Sequence, residues 1–223
     1  MLCYLQGGST WEERGFIMSD LSENSHYKHL DKVMWETKGS RFNTYRRLKK
    51  QGSLSITTIS MLSVYAIVIS LFQFFFKARP HAIDNFDTFF SILLSICILV
   101  VSLLEASKEY GTKSVKVYDC SNDIGSLLHK LKQVEFANDI NSELSNISDH
   151  YNAILKSCPE NHDQIDFDLF KAQNYKHYKI NPIMSFYIKA KATFLPYSFY
   201  YLLIVAPLLI YFSVIHYFQV VQR

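Results

Sequence analysis

LSITTISMLSVYAIVISLFQFFF, residues 54–76, contains no Asp, Glu, Lys or Arg, and neither does TFFSILLSICILVVSLL, residues 88–104. The first run holds about 23 residues, enough for a helix to cross a hydrocarbon layer of roughly 30 Å; the second, about 17, is at the short end of the spanning range. Only Lys77–Asp87 lies between them, polar and interrupted by Pro80. Two helices joined by so short a loop run antiparallel, so residues 54–104 read as a transmembrane hairpin from which the rest of the chain hangs.

Composition agrees. The mean hydropathy of +0.02 averages strongly apolar blocks with strongly polar ones. Phe 17 and Tyr 15 are high against Gly 7 and Pro 5, which suits long helices with aromatic interface anchors better than a loop-rich β fold. The net charge of +3 is modest, and the cations gather beside apolar runs, so nucleic-acid binding is not expected. Cys3, Cys97, Cys120 and Cys158 form no CxxC pair. Reduced thiols are expected, with neither a disulfide framework nor a zinc site.

At the N-terminus, Met18 followed by SDLSEN has the look of a natural polar start. Residues 12–15 would be encoded by purine-rich codons where a bacterial ribosome-binding site lies. Residues 1–17 are therefore expected to be an over-extended gene start; an intact mass of the native protein beginning at Met1 would refute this. Segment 1–28 as a whole is expected to be flexible.

Segment 29–53 reads as a cytoplasmic basic helix, interrupted at Gly39-Ser40. Lys38 and the topology-setting cations Arg41, Arg46, Arg47, Lys49 and Lys50 lie beside the first span, whereas the hairpin loop sets Lys77 and Arg79 against Asp84 and Asp87. This bias puts the N-terminus inside and the loop outside, with the cations at lipid headgroups. Within the hairpin, Ser60, Ser63, Ser70 and Gln73 drift along one side of the first helix; Ser91, Ser95 and Ser102 do so on the second. Small residues and hydroxyls at such spacing pack helices closely, and the same seam could line a water path once hairpins assemble. No ionised group sits mid-span to mark a proton relay.

Region 105–193 is expected to be cytoplasmic and helical. Leu103, Ala106, Tyr110, Val117, Ile124, Leu128 and Leu131 recur at three- and four-residue steps, predicting one unbroken helix from Glu105 to about Asn138, with Gly111 and Gly125 open to a close neighbour. A second helix starts near residues 139–142, with Leu144, Ile147, Tyr151, Ile154 and Leu155 on its apolar face, and ends at Cys158-Pro159. In the following PENHDQIDFDLF, Asp163 and Asp166 fit as first-turn helix charges, and no metal site is expected around His162. The last block, Ala192–Gln222, is again free of Asp, Glu, Lys and Arg and follows Lys176, Lys179, Lys189 and Lys191. Segment 194–223 reads as a third span kinked at Pro207, with a re-entrant or surface-lying segment as the alternative. Tyr197, Phe199, Tyr200 and Tyr201 form one aromatic belt, and Tyr211, Phe212, Tyr217 and Phe218 another. The expected fold is thus an all-α membrane protein: a transmembrane helical hairpin continuing into cytoplasmic helices, plus a third C-terminal transmembrane helix.

The order of parts, carried by WETKGSRFNTYRRLKK, SLLEASKEYGTKSVKVYDCSNDIGSLLHKL and YNAILKSCPENHDQIDF, resembles the SLATT family, two-span proteins of bacterial anti-phage defence systems, over roughly residues 30–170. The third span is outside the basic family plan. The resemblance implies a multi-pass effector of the bacterial inner membrane that assembles or opens as an oligomeric pore when a partner, a sensor protein or a nucleotide signal, reports infection. The membrane then leaks and the cell stops growing before phage mature. The partners implied are the lipid bilayer, further copies of the chain and that sensor. No catalytic residues, cofactor or metal come with the resemblance, and the residues show no phosphate loop or nucleophile–base pair, so an enzyme is not expected. The rival reading is a non-conducting membrane anchor for a cytoplasmic partner.

Overall fold

The computed structural model describes residues 11–75, 81–134, 140–158 and 160–221, with side chains described from residue 25 to residue 220 of these stretches. Residues 1–10 of the expected over-extended start, Lys77, Arg79 and Pro80 of the hairpin loop, Pro159 and Arg223 lie outside the described residues. The described chain is helical apart from short turns, with no strand among its residues. In order run α1 (Trp11–Phe75), α2 (His81–Ala106), α3 (Tyr110–Val134), α4 (Ile140–Ser157), α5 (Gln164–Gln173), α6 (Pro182–Phe194), a 3-10 turn (Leu195–Tyr197) and α7 (Ser198–Val221). Three of the helical stretches are long and apolar enough to cross a membrane, so the chain is an all-α membrane protein.

Two expectations about helix continuity are corrected. The break expected at Gly39-Ser40 is absent: α1 runs through it. Gly39 is there for packing, because a Cβ at this position would lie 2.1 Å from Phe170 Cε2. The Ser40 hydroxyl donates back to the Glu36 carbonyl at 2.8 Å, which leaves the helix intact. Conversely, the single helix expected from Glu105 to Asn138 is interrupted. α2 ends at Ala106, and Glu109 takes φ 50°, a left-handed conformation costly for a residue with a Cβ, before α3 begins. Lys113 N–H then bonds the Glu109 carbonyl at 3.0 Å and starts the new helix.

The chain forms two compact units. The first comprises residues 1–43 and 116–170. Its core is Leu30 and Met34 from α1, Cys120, Ile124, Leu127, Leu128, Leu131 and Val134 from α3, and Leu144, Ile147 and Tyr151 from α4. The α3 set follows three- and four-residue steps, a stripe that needs helices beside it. Each fully buried Leu or Ile contributes about 1.5–3 kcal/mol relative to exposure. Trp35 meets Phe170 edge-on at 4.7 Å, and Gly125 admits the Lys38 side chain, whose Cε would lie 3.1 Å from a Cβ there. Gly111, by contrast, has nothing within 4 Å.

The second unit comprises residues 44–115 and 171–223. Ser55, Thr58, Leu62 and Ile69 of α1 are buried, as are Ile83, Asp87, Phe90, Leu94 and Glu105 of α2 and Tyr197 and Tyr200 at the start of the last span. Steps of three and four keep one face of each helix turned inward. Asn181 caps α6, accepting from Ile183 N–H at 2.9 Å ahead of Pro182, and α7 continues through Pro207 to Val221. Ile67, Phe75, Phe89, Ile92, Leu99, Leu103, Leu202 and Phe212 are all exposed. In water an apolar surface of that extent would aggregate. In hydrocarbon it meets its natural solvent, while the helices bond nearly all of their backbone polar groups internally.

Candidate functional site

The membrane-embedded unit is tied at both ends by polar groups on otherwise apolar helices. At the far end from the α1 cations, the Gln73 amide donates to the Asp84 carbonyl at 2.7 Å and to Thr88 Oγ1 at 2.8 Å. About one turn deeper, Ser70 Oγ and Ser91 Oγ stand 3.1 Å apart. These bonds hold α1 against α2, as hydroxyls and amides do between helices in lipid. Phe86 stacks on Tyr211 at 6.2 Å and Phe90 meets the same ring tilted at 5.7 Å, fastening α7 to the same end.

At the cation-rich end lies a buried knot. Glu105, 6% exposed, accepts from Tyr200 OH at 2.7 Å and from Lys108 Nζ, and it hydrogen-bonds Ser55. The Tyr110 hydroxyl is 3.1 Å from that of Tyr200. Gly52 lets Tyr110 approach: a Cβ there would sit 3.3 Å from Tyr110 Cβ. One carboxylate thus gathers groups from α1, α2, α7 and the turn between α2 and α3. A buried carboxylate survives only when its lone pairs are met in this way. Just outside, Lys50 Nζ lies 4.2 Å from the centroid of the Tyr197 ring, and the Gln51 amide donates to the Pro196 carbonyl at 3.4 Å.

Measured against the sequence-based seam, the helices are rotated. Ser70, Gln73 and Ser91 join α1 to α2, and Ser102 is half-buried. Ser63 is half-buried and bonded to its own helix at the Ile59 carbonyl. Ser60 and Ser95 face outward, Ser95 donating to the Ser91 carbonyl. The residues of the expected aromatic belts divide in the same way. Tyr200, Tyr197, Tyr211 and Phe218 take part in interior contacts, while Phe199, Tyr201, Phe212 and Tyr217 are exposed. Of the cations, Arg46, Lys49 and Lys50 are exposed and Arg47 is half-buried. Arg41 departs from the expectation of a headgroup contact: it is 4% exposed inside the first unit, donating to Cys120 Sγ. No group of three or more His, Cys, Asp or Glu able to hold a metal occurs among the described residues.

Residues 23–213 match the family described as SMODS and SLOG-associating 2TM effector domain family 5. The chain belongs to the SLATT family. No curated protein and no solved structure matches it. Membership makes the chain a membrane effector of defence systems, and the family description associates such domains with SMODS and SLOG partners. The match covers α2, all of α3–α6, and most of α1 and α7, so the third apolar helix of this SLATT protein is largely inside the matched region.

Sequence reasoning missed the knot. Glu105 read as the first residue of a soluble helix and Tyr200 as one ring of a belt. The available signal was a lone carboxylate closing a charge-free run, opposite a Tyr placed just inside another such run.

Proposed function

We propose that this SLATT protein is a pore-forming effector of the bacterial inner membrane, with its N-terminus in the cytoplasm, that depolarises the cell when a defence partner signals infection. The observation that carries this reading is the division of the polar groups along α1 and α2. Ser70, Gln73 and Ser91 are used up in tying one hairpin together, whereas Ser60 and Ser95 are turned outward on faces otherwise covered by large apolar side chains. Within one bundle Leu62, Ile69, Phe90 and Leu94 are buried, and the hollow of about 460 Å³ beside them is walled by apolar side chains such as Val68, Phe72 and Leu208, which do not hold water, so an aqueous path is built between copies rather than through one. Outward hydroxyls then line it. The Glu105 knot closes the cytoplasmic end of the spans, and the turn at Ser107–Glu109 lets α3 move Tyr110 relative to Tyr200.

The test is a membrane-potential dye in live bacteria after induced expression. Wild-type protein depolarises the cells; a Ser60→Leu/Ser95→Leu double variant inserts equally well, as protease protection reports, and does not. Depolarisation by that variant removes the hydroxyls from the path. A wild-type protein that inserts and leaves the potential intact, even when co-expressed with its neighbouring defence genes, leaves the anchor reading in its place.

A further inference from the structure

Two thiols of the first unit share one hollow. Cys120 on α3 and Cys158, just past α4, line a space of about 330 Å³ bounded also by Lys116, Asp119, Asp123 and Ser157. The two side chains are close enough for Cys158 to act on the protonation of Cys120, and both are free thiols. α3 and α4 are consecutive helices sharing one core, which brings the pair together. Against Cys120 lies Arg41, buried, with its Nη1 on the sulfur; its Nε has no hydrogen-bond partner among the described residues, and it pairs with no described carboxylate. A guanidinium taken out of water without an anion costs several kcal/mol. It is left facing a group that can become an anion.

We propose that Cys120 and Cys158 are an oxidisable pair that closes to a disulfide when a hydroperoxide enters the hollow. The half-exposed Cys158 meets the oxidant first. Its thiolate attacks one peroxide oxygen, the O–O bond breaks, and the other oxygen leaves with a proton as water, giving a sulfenic acid. The Cys120 thiolate then attacks the sulfenic sulfur; the S–S bond forms, the S–O bond breaks, and hydroxide leaves carrying the proton Cys120 gave up, as a second water. Two thiols lose two electrons and hydrogen peroxide becomes two waters. Arg41 holds the Cys120 charge in the second step. Burial chiefly, then the neighbouring Cys158, pushes the Cys120 thiol up to about 12 while Arg41 works the other way, so Cys120 rests as a thiol. Closure ties α3 to the end of α4 and to the turn leading into α5.

The experiment treats the full chain, reduced and in detergent, with hydrogen peroxide, then alkylates it and maps peptides without reduction. A Cys120–Cys158 linked peptide lighter by two hydrogens, reversed by dithiothreitol, is the expected product. Cys120→Ser should instead trap a Cys158 sulfenic acid that dimedone labels. Arg41→Gln should slow closure about tenfold at neutral pH, because the attacking species is the thiolate, and Arg41→Lys should largely restore it. If Cys120 and Cys158 both remain alkylatable while Cys97 oxidises, or if Cys158 links to Cys97 instead, the pair is not the site.

Discussion

The Tyr200 hydroxyl is the smallest piece of the molecule on which much depends. It donates to a carboxylate that is 6% exposed and that draws on α1, α2 and α7 together. Tyr200→Phe keeps the ring and leaves Glu105 one donor short, so thermal unfolding in detergent should show a loss of about 1–3 kcal/mol. Glu105→Gln in the same background should recover part of it, since an amide tolerates the missing donor better than a charge. His162 supplies a second test in the first unit. Burial first, and then the Arg41 cation, hold its imidazole below the ordinary 6.5, with Asp166 and Asp163 opposing. The folded chain therefore binds this proton later than the unfolded chain. The stability that His162 preserves is complete above about pH 6.5 and drains away as pH falls below it. Comparing wild type with His162→Gln from pH 7.5 to pH 5.5, as rough bounds around that pKa, should show the wild type losing more; parallel curves would mean the imidazole titrates as if in water.

Helices, taken one at a time, were legible wherever a single face is buried. The charge-free runs became α1, α2 and α7, and the Leu144–Ile147–Tyr151 stripe became the buried face of α4. Two boundaries were not legible, for opposite reasons. Gly39-Ser40 has the local chemistry of a break, but the glycine answers to the Phe170 ring, which is distant in sequence. Ser107–Glu109 has no Gly or Pro to signal an interruption, yet the chain turns there, with Lys108 and Tyr110 both engaged by the knot. A tertiary contact decides each case, and neither contact is written in the neighbouring residues. The turn yields its own prediction. Glu109 is held at φ 50°, so Glu109→Gly should remove a left-handed strain and raise stability by about 1 kcal/mol. A fall in melting temperature would mean the Glu109 side chain matters more than its backbone.

At the scale of the whole molecule, lipid is what makes sense of the surface. Large side chains such as Ile56, Phe74, Phe89, Leu103, Phe186 and Phe212 stand exposed on the outer faces of the helices. Sequence reading identified that solvent from length and charge alone, and it found the polar residues of the spans. It missed which of them turn inward, because a period near 3.5 fixes a stripe but not its phase against neighbours still unknown. On the function proposed above, this phase leaves a single bundle closed and makes several copies necessary for conduction. Purified protein fused into a planar bilayer tests this most directly. Wild type, and more readily the knot-weakened Tyr200→Phe, should give stepwise currents whose onset rises steeply with the amount of protein inserted. Bilayers that stay silent with both proteins, although protease protection shows them inserted, would contradict the account.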